Sequence, residues 1–404
     1  MDSSDHRDRM PLAGVRVVAL GTFVAGNMCP LVLAELGAEV VKVESRRRPE
    51  PLRSFFTEDH GTVTEPSGVR TTAVFTGIAR GTRSVCIELD EPGGPAMLRR
   101  LTDVADVFVE NLGPGAAEKL GCNYAELSAN NPGLVAISIS GYGRTGPRAE
   151  YRAYASSIAN FLGLTGIWGH DGTHFDYVAA YHGAFSAVAA LRRRRHTGRG
   201  TYVDVSQMDA GAAVMAPIYL DVLVEGRPWT RHANDVPGAL LSGAVACRGH
   251  DRWLAVELED LDDWQRLCDV LERDDLRCDT TEAAADKRGA LADALALWAA
   301  GNAPHQAALR LQRAGLAAAA VQDSEDVWRD PQLRARDAFV EVDHPDLGPV
   351  EHRHSPDLRS AAVHRARRLG EDTEAVCTEW LGMTGAEFAE LAQAGTVWQG
   401  ERGG

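Results

Sequence analysis

The sequence predicts an α/β protein, with a Rossmann-like, doubly wound parallel sheet domain and a smaller α+β domain. Two observations carry this reading. Short, mostly apolar, β-branched runs, two of them stopping at glycines, alternate with helical stretches through the first half of the chain, as buried parallel strands and their crossovers do. Further on the pattern becomes a hairpin followed by amphipathic helices, and 404 residues are enough to build more than one core.

The elements follow in order. Val15 to Leu20 is an apolar run that ends at Gly21. A helix from about Asn27 to Leu36 and a strand from Glu39 to Glu44 complete a βαβ unit, whose first turn lies at the carboxyl edge of the sheet where ligands bind. Gly21 and Gly26 do not form G-x-G-x-x-G, so by themselves they imply no more than tight strand-helix packing. Ser45-Arg46-Arg47-Arg48 and the polar stretch to about Arg70 read as a surface loop. Such a charge run is ordinarily a solvated face, and an anion site at the sheet edge is the functional alternative. Arg83 to Leu89 is a strand, and Glu91 to Val104 a helix with Pro92 near its start, where a missing N–H does little harm. Asp106 to Glu110 is a strand broken by Asn111-Leu112-Gly113-Pro114-Gly115, and Leu134 to Ser140 a fifth one ending in Gly141-Tyr142-Gly143. Ligand contacts are therefore expected in the loops Thr22 to Asn27, Ser45 to Arg48, Asn111 to Gly115 and Gly141 to Gly146.

Asp176 stands where a Gly- and His-rich segment, Gly166 to Gly172, gives way to an Ala-rich helix from Tyr177 to about Arg195. A carboxylate one residue before a helix caps free N–H groups, which is the commoner reason for an Asp there. The same place suits a working carboxylate at the edge of a cleft. The basic end of that helix, Arg192 to Arg195, complements the dipole. A turn at Thr197-Gly198-Arg199-Gly200, a strand from Thr201 to Val205 and a helix from Gln207 follow. The domain expectation is a large domain over 1–223, a linker over 224–237, a small α+β domain over 238–330, and a segment over 331–404 that returns to the large domain. In the small domain, strands near 244–247 and 253–257 precede helices near 264–271, 286–299 and 305–313, with 316–321 ambiguous between strand and helix. The last part is polar and Pro-interrupted until a helix from Thr373 to Leu381.

The formal net charge of -15 argues against nucleic acid as a partner, since phosphate-binding surfaces need a basic excess. The seven cysteines are scattered singly, the pattern of reduced thiols rather than of a disulfide frame or metal site. The first ten residues lack an apolar signal core, and no uninterrupted apolar run approaches membrane-spanning length. A cytoplasmic protein without a membrane partner is expected.

An ordered set of motifs resembles the class III CoA-transferases, which include formyl-CoA and carnitine CoA-transferases and the related 2-methylacyl-CoA racemases. The set runs from Pro11-Leu12-Ala13-Gly14-Val15-Arg16-Val17-Val18 through Leu36-Gly37-Ala38-Glu39 and Glu110-Asn111 with Gly113-Pro114-Gly115. It continues with Ile139-Ser140-Gly141-Tyr142-Gly143 and Thr197-Gly198-Arg199-Gly200, and closes with Asp330-Pro331-Gln332-Leu333 and Leu369-Gly370-Glu371-Asp372-Thr373. The resemblance implies CoA transfer from an acyl-CoA to a small carboxylic acid through a covalent aspartyl enzyme. Asp176 matches the nucleophile, and coenzyme A is a substrate, with no permanently bound cofactor. It further implies CoA contacts at Phe23, Val24 and Ala25, at Asn111, and at a basic position after the second strand matched by Ser45 with Arg46 adjacent. Lys119, Arg152 and Tyr154 match further basic and aromatic positions, and an interlocked homodimer is the implied assembly. Two departures are visible. The glycine run that closes over the active site of formyl-CoA transferases is reduced here to Pro237-Gly238-Ala239-Leu240-Leu241-Ser242-Gly243. Where the racemases place a histidine, this chain has Tyr154, and a phenol is a poor proton-transfer group near neutral pH. The remaining alternatives are an isomerase using Asp176 with His170, His174 or His182, and a CoA-binding member with lost or diverted activity.

Overall fold

The computed structural model describes residues 10–54, 62–169, 172–226, 228–229, 233–354 and 363–401. The chain divides into two compact units, Met1–Pro228 with Ala335–Gly404, and Trp229–Arg334.

The larger unit is built on a seven-stranded sheet. Its strands are β1 (Arg16–Leu20), β2 (Glu39–Glu44), β3 (Arg83–Ile87), β4 (Val107–Glu110), β5 (Val135–Ser140), β6 (Thr201–Ser206) and β7 (Val397–Trp398). They lie in the order β7-β3-β2-β1-β4-β5-β6, all parallel except β7, which runs antiparallel to β3. The order reverses between β1 and β4, where a doubly wound sheet opens a crevice at the carboxyl ends of its strands. Both faces are covered, as the unbroken apolar runs require. On one face Val17, Ala19, Val107, Val109, Ile137 and Ile139 pack under helices α1 (Phe23–Glu35) and α3 (His174–Thr197). On the other, Val18, Val41, Val85, Ile87 and Phe108 meet α2 (Gly94–Asp103) and the helix Thr373–Leu381.

Several boundaries differ from the sequence reading. Helix α1 begins at Phe23 rather than near Asn27, with Phe23 itself at φ +57°. The helix α2 starts at Gly94, so the proline in its first turn is Pro95 and not Pro92. Part of the expected surface loop after Arg48 folds around a buried arginine. Arg53 is 1% exposed and pairs with Glu44 at 2.8 Å and Glu65 at 2.7 Å, and the strands Thr62–Thr64 and Arg70–Thr72 form a hairpin beside it. The polar segment after residue 335 holds a second hairpin, Phe339–His344 with Gly348–Arg353. The helix α4 (Gln207–Glu225) is, by length and composition, long and apolar enough to cross a membrane, although Asp209 and Asp221 interrupt its apolar run. Its Leu220, Leu223 and Val224 are exposed.

The smaller unit has a three-stranded antiparallel sheet, Leu241–Ala246, Trp253–Leu258 and Ala317–Val321, with the middle strand hydrogen-bonded to both others. The ambiguous 316–321 segment is thus a strand. Helices Leu261–Leu271, Thr281–Ala300 and Pro304–Arg313 cover it around the fully buried Trp264. Ser242 and Gly243 belong to the first strand, so the stretch matching the glycine run is partly sheet.

Candidate active site

The loop after β1 is fixed from below by buried polar groups. Phe23 at φ +57° sits in a region that residues with a side chain enter only when their surroundings impose it. Glu50 supplies that constraint, accepting from Phe23 N at 2.8 Å and from Asn27 Nδ2 at 3.3 Å. Lys42 in turn donates to Gly21 O at 2.8 Å and to Glu50 Oε2 at 3.1 Å, in a pair whose side chains are 4% and 1% exposed. Just past the end of β4, Asn111 grips the same loop with both ends of its amide: Oδ1 accepts from Thr22 N and Nδ2 donates to Thr22 O, each at 2.8 Å. Gly26 is required by this grip, because a Cβ there would lie 2.6 Å from Asn111 Oδ1.

At the ends of β2 and β3, Glu88 accepts from Ser45 Oγ at 2.6 Å and from the Arg46 N–H at 2.8 Å. Those donors are occupied, so an incoming anion at this edge meets side chains. Arg46 lies over the Trp398 ring at 5.0 Å, while Arg47 and Arg48 pair with Glu91 and Asp90. A cavity of about 180 Å³ opens here, lined by Gly21, Thr22, Ser45, Arg48, Leu89 and Leu112 among others. A larger one, about 470 Å³, lies beside Glu110, Ser138, Arg144, Tyr124 and Tyr202. Its guanidinium is already engaged, since Arg144 donates to both Glu110 oxygens at 3.0 Å and to Ser138 Oγ at 2.7 Å. Asp176 lines neither cavity.

Asp176 is the third residue of α3, not the residue before it, because the helix begins at His174 with Thr173 as its cap position. Its side chain makes a hydrogen bond from outside the helix: Gln207 Nε2 donates to Oδ1 at 2.6 Å. The carboxylate is half-buried, and burial pushes its pKa from 3.8 up to about 6, against a lowering from the Gln207 bond. No salt bridge among the described residues engages it, so an amide is its partner where a cation would have held the pKa down. Gln207, which the sequence reading noted only as a helix start, is 5% exposed and opens α4 directly after β6.

The expected contact residues are only partly gathered. Phe23 and Tyr154 meet edge to face at 5.8 Å, and Asn111 holds the Thr22 backbone. Val24 and Ala25 lie in the first turn of α1 rather than in a loop. Arg46, Lys119 and Arg152 are exposed and share no hydrogen bond, ion pair or ring contact with the others of the set among the described residues. His170 lies outside the described residues. The His174 ring packs edge-on to Trp168 at 5.4 Å, and His182 Nδ1 is 2.8 Å from the Val178 carbonyl of its own helix.

Comparison with known proteins agrees with this architecture. The model of CoA-transferase family III matches residues 12–373. The chain is 28% identical to succinyl-CoA–D-citramalate CoA-transferase of Chloroflexus aurantiacus, across 96% of this chain and 98% of that one. It is 28% identical to succinate–glutarate CoA-transferase of Agrobacterium fabrum, across 91% and 95%. A CAIB/BAIF family protein from Brucella suis superposes with a TM-score of 0.83 at 26% identity, covering 92% of this chain and 99% of that one. With the family model matching nearly the whole chain, this protein belongs to CoA-transferase family III and is an enzyme of that family.

Proposed function

We propose that the enzyme moves CoA from an acyl-CoA to a small carboxylic acid through covalent intermediates on Asp176. The observation that carries this is a half-buried carboxylate whose one oxygen is held by an uncharged donor. At pH above about 6 such a group is ionised, and its raised basicity makes it a better nucleophile than an exposed aspartate. Oδ2 attacks the thioester carbon and the C–S bond breaks, giving a mixed anhydride and CoA thiolate. The thiolate then attacks Cγ of Asp176, expelling the donor acid and leaving an aspartyl-CoA thioester. The acceptor carboxylate attacks the same carbon and releases the thiolate, which takes the acceptor's acyl group and frees Asp176. No step transfers a proton. A racemase would need an acid–base partner beside Asp176, and the amide of Gln207, which neither gains nor loses a proton at ordinary pH, cannot be that partner.

The names of the relatives point to succinyl-CoA as the donor to try first and to dicarboxylic or hydroxylated acids as acceptors. The CoA moiety is placed along the carboxyl edge by Phe23, Val24, Ala25, Arg46 and Asn111, with Lys119, Arg152 and Tyr154 as outer contacts. We further propose an interlocked homodimer in the cytoplasm, with the two compact units as domains; the exposed Phe185, Leu220, Leu223 and Val224 offer apolar surface for a second copy to bury. Mixing the enzyme with succinyl-CoA and hydroxylamine should leave a hydroxamate at Asp176, read by peptide mass spectrometry. No adduct at Asp176, together with deuterium washing into the α-carbon of the acyl group, would overturn the transferase reading. Sizing at low concentration tests the dimer, and a stable monomer contradicts it.

A further inference from the structure

We propose that Gln207 is a catalytic hydrogen-bond donor, fixing which oxygen of Asp176 attacks and carrying the charge that forms on the other oxygen whenever Cγ is attacked. This rests on Asp176 being the nucleophile. A carboxylate only accepts, so at the pH where Asp176 is ionised the amide must present its NH₂, and the 2.6 Å bond occupies Oδ1. Oδ2 is then the oxygen that forms the anhydride. Once it is acylated, Oδ1 is the carbonyl oxygen of the aspartyl group. When CoA thiolate attacks Cγ, the carbonyl electron pair moves onto Oδ1, and the donated N–H is already in line with the developing oxyanion. Collapse breaks the Cγ–Oδ2 bond and restores the carbonyl. The acceptor's attack on the aspartyl-CoA thioester repeats the event with the C–S bond breaking.

The donor is held in place before any ligand arrives, which is the condition for this kind of stabilisation. Gln207 is the first residue of α4, and Ser206 caps that helix by accepting from Asp209 N at 3.1 Å. The next residue, Met208, donates its N–H to Gly141 O at 3.0 Å, tying the helix start to the end of β5. Ser206 is also the last register partner of Ser140. The amide thus projects from the junction of strand and helix, 5% exposed, with little freedom to withdraw.

The test is the rate at which the aspartyl-CoA thioester appears when enzyme is mixed with succinyl-CoA, quenched in time and read by intact-protein mass spectrometry. Gln207→Met keeps the bulk and removes the N–H. It should slow adduct formation by about 10²–10³-fold, the loss expected for one oxyanion donor, while KM for succinyl-CoA stays within about threefold. Gln207→Leu, which likewise lacks a donor, should show the same loss, and serves if the Met variant does not fold. Adduct formation at the wild-type rate in either variant would overturn the proposal, as would a loss confined to KM. Asp176→Asn is run in parallel. An Asn variant that still turns over sinks the nucleophile assignment itself, whereas an inert Asn variant beside a fully active Gln207→Met sinks only the role of Gln207.

Discussion

Replacing Asp176 by Asn should stabilise the protein, and increasingly so as the pH rises. The carboxyl titrates near 3.8 in an unfolded chain and at about 6 in the folded one, with burial as the main cause. Between those values the native state holds a proton that the unfolded state has released, so stability falls as pH rises through this window. Above it the ionised side chain costs about 2.2 pKa units, or about 3 kcal/mol at ~1.4 kcal/mol per unit, an upper figure because the group keeps some contact with water. Asn cannot ionise, and its Oδ1 still accepts the Gln207 bond. The stability difference between Asn variant and wild type should therefore grow by about 1.4 kcal/mol between pH 5 and pH 8, most of it below pH 7. Urea unfolding of both proteins across that range measures it. A difference that does not change with pH, or a variant less stable than wild type at pH 8, would refute the account of Asp176 as a carboxylate ionised at the expense of the fold.

Three further outcomes follow from the braced loop. Asn111→Ala removes both bonds to Thr22 and should cost about 1–3 kcal/mol in unfolding free energy, with KM for the acyl-CoA raised more than kcat is lowered. Gly26→Ala places a Cβ 2.6 Å from Asn111 Oδ1 and breaks the same grip, so the double variant should be little worse than the Gly26 variant alone in a thermodynamic cycle. Lys42→Met leaves Glu50 buried without its cation and should cost about 3–5 kcal/mol. Adding Glu50→Gln should recover part of that loss in chemical denaturation, and no recovery would argue against the pair as the brace.

The parallel sheet was legible because both of its faces are buried, so β1, β2, β4 and β5 are written as short runs dominated by apolar and β-branched residues. The helix Thr373–Leu381 lies where the sequence placed it. What escaped has physical reasons. The start of α1 was hidden because Phe23 takes a backbone conformation that sequence patterns reserve for glycine. The hairpin Phe339–His344 with Gly348–Arg353 is largely polar and half-exposed, so it lacks an apolar stripe to read. Arg53 looked like a surface charge, since only folding brings Glu44 and Glu65 around it. At the candidate site, Asp176 was singled out through the motifs around it. Gln207, 31 residues further on, was not, although Ser206 followed by an acid three residues later is a readable helix start that locates it.

The short strand β7 has a consequence for the whole sheet. Val397 and Trp398 pair with Ile87 and Cys86, and Thr396 O accepts from Glu88 N at 2.9 Å. Without them β3 would be an outermost strand, flat, apolar and ending in unpaired amides, which is the template on which sheets add foreign chains. This pair of residues thus covers the edge that β3 would otherwise leave open. Because Trp398 also lies under Arg46, loss of the segment by proteolysis should present as aggregation and as disturbance of the sheet edge at Arg46 at once.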